Sequence, residues 1–329
     1  MDSQTKRAAL FLLLATGPLA EVLSENVQLS TLLQPLPFFL VTITYGVPVL
    51  LIRELAVARK LDTLGLVLLG LAYGILNEGV LAKTLTQPGG APLDDFAGYG
   101  QIGTLQGGWT IFMVVWHAPH SVLYPILMCR WLFPGSADRR WFASGRARWL
   151  LYPLLLAVAG LYSLYFLNPV RSDAGVFIIY AVATLVLFGI ALRFCSARDA
   201  SPVTIRTPTV APALVGAGMI LFYVFQLSSP GRIPFVVYLA ISIAIILLLI
   251  NRMRRAGWRP LPHLLLFGLG DDLTFSLFSA GVCIISGRNP WEAAAAGAIF
   301  FVVFVCLMRA VRREPLGRSM ARVPLPAGR

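Results

Sequence analysis

Charge is what this sequence has least of. Asp, Glu, Lys and Arg together make up 13% of its 329 residues, about half the roughly 25% of a soluble globular domain. A chain with most of its surface in water is thereby excluded. Histidine is rarer still, with three residues: His117, His120 and His263. The four cysteines are Cys129, Cys195, Cys283 and Cys306. They show no Cys-x-x-Cys or related spacing, which excludes a zinc-finger type of site. All lie in or at the ends of apolar runs, which argues against a disulfide framework. They read as small apolar packing residues.

What is present is hydrophobic sequence, 57% of the chain. It is gathered into runs long enough to cross about 30 Å of hydrocarbon at 1.5 Å per residue. Aromatic alternation of the barrel kind is missing, and an open sheet edge cannot face lipid. The expected fold is therefore all-α, a polytopic transmembrane helix bundle. Ten spans are drawn, over about 8–24, 36–52, 63–82, 109–133, 149–168, 175–194, 210–228, 234–251, 261–285 and 291–309. The first is short in clean apolar residues, and Lys6 and Arg7 before it resemble the flank of a secretory signal. Gly17, Pro18 and Glu21 stand where a small-residue cleavage site belongs, so it is read as an uncleaved helix.

Basic residues give an independent reading of topology. Of 27 Lys and Arg, only Lys83, Arg171, Arg232 and Arg288 fall outside the termini and the loops after spans 2, 4, 6 and 8. Basic flanks stay in the cytoplasm. Both termini are thus expected inside, in the cell (plasma or inner) membrane. The net charge of +12 then faces cytoplasmic lipid headgroups rather than nucleic acid. Residues 1–311 form the helical domain; 312–329 are a basic, polar tail expected to be disordered. The longest connection, 83–108, holds seven glycines and Asp94–Asp95, a length that usually carries function. Ten spans would suit a five-plus-five inverted repeat, but no motif recurs between the halves.

Ionisable groups inside the spans are the pointers to function, since each is disfavoured by roughly 2.5–3.5 kcal/mol at a helix centre. Glu21 closes span 1, Asn77 and Glu78 lie in span 3, His117 and His120 in span 4, and Asp271 and Asp272 near the middle of span 9. By helical rise, Glu21, Glu78 and His117 share a depth, which suggests a common site. Gly70, Gly74, Glu78 and Ala82 make a four-residue stripe where another helix can approach. His117, His120 and Tyr124 follow i, i+3, i+7 around Pro119, which frees a carbonyl one turn back. Asp272, Ser276 and Ser279 form a polar stripe on span 9. Each feature has a plainer reading as a buried hydrogen bond between helices. Trp109, Trp149 and Trp291 read as interface anchors.

The runs "AEVLS" (20–24), "YGVPVLLIREL" (45–55), "LGLAYGILNEGVLAKTLTQP" (69–88) and "WHAPHSVLYPI" (116–126) resemble a family of poorly characterised polytopic membrane proteins of bacteria and archaea. The resemblance covers about the first 135 residues and implies no particular activity. In outline, acid in one helix with histidine in a later one is also similar to the prenyl-protease/bacteriocin-processing (Abi) intramembrane proteases. Those carry Glu-Glu-x-x-x-Arg, where this chain has Asn77-Glu78 and, five positions on, Lys83.

Two functions follow as expectations. The first is a transporter or lipid/solute translocator, with Glu21, Asn77, Glu78, His117, His120, Tyr124, Asp271, Asp272 and Ser276 binding an ion or a small solute or lipid. The second is an intramembrane hydrolase or lipid-modifying enzyme. There Glu78 is the general base, and His117 and His120 stabilise an oxyanion or, with Glu78, hold Zn²⁺. A scaffold subunit is the non-catalytic third. Membrane lipids are the expected surroundings; cofactor, metal and oligomeric state are left open.

Overall fold

The structure, a computed structural model, describes residues 2–22, 27–86, 94–142, 173–195, 211–255, 261–285, 287 and 290–313, with isolated positions 153, 157 and 160. The span drawn over 149–168 otherwise lies outside the described residues, as do Trp149 and 314–329. Nine helical stretches occupy the other spans: α1 (Ser3–Glu21), α2 (Pro35–Arg59), α3 (Thr63–Leu81), α4 (Gly107–Leu132), α5 (Ala174–Phe194), α6 (Ala211–Ser228), α7 (Phe235–Arg255), α8 (Leu261–Ile285) and α9 (Trp291–Arg313). Arg312 and Arg313, read as the start of a tail, still belong to α9.

Among the described residues six helices are long and apolar enough to cross a membrane: α2, α3, α4, α5, α6 and most of α8. In α7 the apolar stretch is shorter, Phe235–Asn251. The chain is thus a multi-pass membrane protein with an all-α fold. Its outward faces agree: Leu185 is 71% exposed and Ile285 89%, which suits acyl chains and not water.

Local chemistry sets the helix starts. Asp2, Asp62 and Asp173 each accept a backbone N–H of the first turn, from Thr5, Gly65 and Gly175 at 2.7, 2.9 and 2.7 Å. Such caps satisfy donors that have no partner within the helix. Helix α4 packs against α1, α3 and α8. The small-residue stripe of α3 makes one of these approaches possible. A Cβ on Gly70 would sit 2.8 Å from the Cα and carbonyl O of Ala118, and one on Gly74 would sit 3.1 Å from Val114 Cα.

Three helices contain π-helical segments: Thr42–Gly46 in α2, Leu76–Leu81 in α3 and Ala118–Leu123 in α4. Such turns are rare and concentrate at functional sites. Proline contributes to two of them. Pro48 has no N–H to offer the Thr44 carbonyl one turn back, and that carbonyl instead accepts the Tyr73 hydroxyl at 2.7 Å. Pro119 lies within the third segment.

The end of α2 is stapled to the segment after α4. Arg53, paired with Glu54, donates to the carbonyls of Ser136 (2.9 Å) and Ala137 (2.7 Å) and lies 3.6 Å above the Trp141 ring. Glu54 accepts the backbone N–H of Trp141 at 3.0 Å. Removing one partner of a buried pair leaves an uncompensated charge, at a cost of about 3–5 kcal/mol. Arg53→Ala should therefore lower the unfolding midpoint in detergent far more than Arg130→Ala, whose pair with Asp138 is solvent-exposed.

The long connection after α3 is compact where described. Lys83 adopts a left-handed backbone (φ 59°) that turns the chain into Thr84–Thr86, and burial pushes its ammonium below the usual lysine range. A two-residue hairpin, β1 (Gln101–Ile102) with β2 (Leu105–Gln106), leads into α4. Trp109 is buried, not an interface anchor: Phe96 and Phe112 cover it at ring distances of 5.5 and 5.4 Å. Trp291, by contrast, is 75% exposed.

Candidate functional site

Glu78 sits in the π segment of α3, and its carboxylate meets three donors. His117 Nε2 lies 2.8 Å from Oε1, Asn77 Nδ2 donates to the same oxygen at 3.1 Å, and the Thr84 hydroxyl donates to Oε2. Trp109 Nε1 in turn donates to the Thr84 hydroxyl at 3.2 Å. On the far side of the imidazole, Nδ1 is 2.7 Å from Ser121 Oγ. The carboxylate can only accept when ionised, so it fixes the proton of a neutral His117 on Nε2 and leaves Nδ1 as acceptor for Ser121.

Glu21 joins the same network at one remove. The Tyr45 hydroxyl donates to Glu21 Oε1 and accepts from Asn77 Nδ2 at 3.3 Å. The Tyr45 and Tyr73 rings each lie 5.9 Å from the His117 ring and 6.1 Å from one another, measured between centroids. Glu21, Tyr45, Asn77, Glu78, His117 and Ser121 thus form one buried hydrogen-bonded chain contributed by α1, α2, α3 and α4. Each carboxylate is satisfied by neighbours, so burial does not leave an isolated charge.

His120 looks elsewhere. Its Nδ1 lies 3.0 Å from the Trp116 carbonyl, and its Nε2 is 3.5 Å from Asp271 Oδ2 and 3.3 Å from Asp272 Oδ1. Asp271 Oδ2 also accepts the Tyr124 hydroxyl at 2.7 Å and the Tyr223 hydroxyl at 3.4 Å. Trp116 stacks on the imidazole at 3.7 Å. The Ser276 hydroxyl donates to the Asp272 carbonyl of its own helix at 2.8 Å, a local bond one turn back.

The structure therefore divides the nominated residues in two. Glu21, Asn77, Glu78 and His117 come together; His120, Tyr124, Asp271 and Asp272 come together separately. Zinc ligation by Glu78 with both histidines is overturned, because the two imidazoles leave α4 toward different helices. Among the described residues no group of three or more His, Cys, Asp or Glu is placed to hold a metal ion. The physical reason lies in Ala118–Leu123. An α-helical i, i+3 pair shares a face, whereas the wider π turn between these two opens the angle. Glu78 itself is buried, 5% exposed.

Four participants were not anticipated: Tyr45, Thr84, Ser121 and Tyr223. Ser121 carried a usable signal, four residues after His117 on the same helix. Tyr45 and Tyr223 carried none, since tyrosines in apolar runs commonly mark span ends.

The comparisons with known proteins agree with the membrane fold. A family model described as "Uncharacterized membrane protein family" matches residues 10–324. No curated protein and no solved structure matches the chain, so the likeness to the Abi proteases rests on motif outline alone.

Proposed function

Because the chain belongs to an uncharacterized membrane protein family, we propose that it is a translocator of a small solute or lipid, coupled to proton movement through Glu78 and His117. In this reading ten spans carry both termini in the cytoplasm, in the cell membrane, with residues 314–329 as a basic tail against anionic headgroups.

One observation carries it. A carboxylate–imidazole pair, with His117 Nε2 2.8 Å from Glu78 Oε1, is buried where the π segments of α2, α3 and α4 meet. Hydroxyl and amide groups extend the hydrogen-bonded chain from Glu21 to Ser121. Asn77 Nδ2 only donates, to Tyr45 and to Glu78, so a proton can pass along Glu78, His117 and Ser121 but not through the amide. A π turn is held by weaker geometry than the α-helix around it, so this is where the bundle can change register when a proton leaves.

The test is gradient-driven uptake by purified protein in proteoliposomes, using a panel of small solutes and fluorescent lipids with an imposed pH difference. Glu78→Gln keeps the shape of the side chain and removes its titration. It should lower flux by about a hundredfold, the scale of a lost proton-transfer group. Flux unchanged in Glu78→Gln would end the proposal.

A second reading is favoured by one contact. Ser121 Oγ, His117 and Glu78 stand in hydrogen-bonded line at 2.7 and 2.8 Å, the order of nucleophile, base and orienting acid. As an intramembrane hydrolase or lipid-modifying enzyme, the chain would use His117, or Glu78 through it, as base for Ser121 or for water. Hydrolysis of lipid esters in detergent, abolished by Ser121→Ala as well as by Glu78→Gln, would select this reading over translocation.

A further inference from the structure

We propose that His120, Asp271 and Asp272 form a second proton-binding station, in which an exchangeable proton is shared between His120 Nε2 and the two aspartate carboxyls. The site deepens the translocator reading and rests on it only for the use to which the proton is put.

Its first support is the tautomer of His120. The Trp116 carbonyl can only accept, so at 3.0 Å it fixes a proton on Nδ1. Nε2 of a neutral ring is then a bare lone pair, yet it faces Asp272 Oδ1 at 3.3 Å and Asp271 Oδ2 at 3.5 Å. A lone pair held between carboxylate oxygens is repelled by both. A proton on one of the carboxyls removes the conflict, because that acid then donates to Nε2.

The second support is charge. Two adjacent carboxyls and an imidazole are all at most 2% exposed. No lysine or arginine among the described residues pairs with either aspartate. The titratable groups facing the centre are Tyr124 and His117 on α4 and Tyr223 on α6. Tyrosine hydroxyls donate hydrogen bonds but carry no positive charge. Two carboxylates buried without a cation cannot both stay ionised, so the pair retains a proton.

The third support is open valence. Glu78 accepts at both oxygens, whereas His120 Nε2, Asp271 Oδ1 and Asp272 Oδ1 are buried polar atoms without a hydrogen-bond partner. Buried polar groups are nearly always satisfied, and exceptions call for an explanation. One such atom on each of three neighbouring side chains, with aromatic walls from Trp116, Tyr223 and Phe275, fits a site that is filled and emptied. The Glu78 network is closed; this one is open.

A hydrophobic carbodiimide reads the proton directly. A protonated carboxyl adds across the reagent to give an acylisourea that rearranges to a stable acylurea, with no atom lost, while a carboxylate does not add. The full chain in lipid nanodiscs, treated with dicyclohexylcarbodiimide from about pH 5 to about pH 9 and mapped by mass spectrometry, should label Asp271 or Asp272. The rate should fall as pH rises, and His120→Gln should shift that profile. The infrared band of a protonated carboxyl should be present in the parent at neutral pH and diminished in Asp272→Asn or Asp271→Asn, which tests the same proton without a reagent. Labelling that is independent of pH, labelling suppressed by sodium in competition, or a parent lacking the infrared band would overturn the proposal. Loss of flux in Glu78→Gln beside an absent aspartate proton sinks this inference alone. A protonated aspartate beside unchanged flux sinks only the translocator.

Discussion

His117→Ala is expected to destabilise the folded bundle by about 3–5 kcal/mol, the range for breaking a buried charged pair from one side. The imidazole is the strongest neighbour of Glu78, and removing it leaves a carboxylate with only Asn77 and Thr84 as donors. It also empties the space beside Tyr45 and Tyr73, which adds a cavity term. Glu78→Gln alone should cost less, because no charge is left behind and the amide still fills the volume. In the double variant neither position carries a charge, so its loss should fall short of the sum of the single losses by about 1–3 kcal/mol. Unfolding midpoints of the four proteins in one detergent measure this cycle. Additivity within about 0.5 kcal/mol would show that Glu78 and His117 are neighbours without coupling.

Helix positions were legible in the sequence because hydrocarbon thickness imposes length and hydropathy on each span, and both are local properties. The span drawn over 261–285 and α8 share their ends. The α3–α4 contact was legible too, since Gly70 and Gly74 recur on one face. Glu21, Glu78 and His117 could be set at one depth by counting residues. Which way a side chain turns within that depth could not be counted. His120 was placed with His117 on the assumption of 3.6 residues per turn, and the π segment breaks that assumption where it matters. Arg53 and Glu54 stand at a span end. Their partners, at Ser136 to Phe142, are more than eighty residues away, and no local pattern announces them. The same holds for Tyr45, whose hydroxyl joins Glu21 and Asn77 on the helices before and after its own.

The tightest helix contact was also invisible to a four-residue rule, and it carries the second large effect. Gly216 of α6 lies against the Phe267 backbone, and a Cβ there would be 2.8 Å from the Phe267 carbonyl carbon and 3.1 Å from Asp271 N. Gly270 of α8 answers it, with a Cβ that would be 3.0 Å from the carbonyl carbon of Ala213 and 3.1 Å from its Cα. Both obstacles are backbone, so no rotamer change relieves them. Gly270→Val should cost about 3 kcal/mol or more, the upper range for overpacking, and Gly216→Val the same. The pair should be less than additive, since either valine already forces α6 from α8. Gly281 lies on the same helix with nothing within 4 Å of an added Cβ, so Gly281→Val should stay within about 0.5 kcal/mol of the parent. Separation at Gly270 also moves Asp271 relative to Tyr223 on α6, and the aspartate centre should lose its carbodiimide pH profile in variants that still fold. Equal unfolding midpoints for Gly270→Val and Gly281→Val would mean that α6 and α8 do not meet at these glycines.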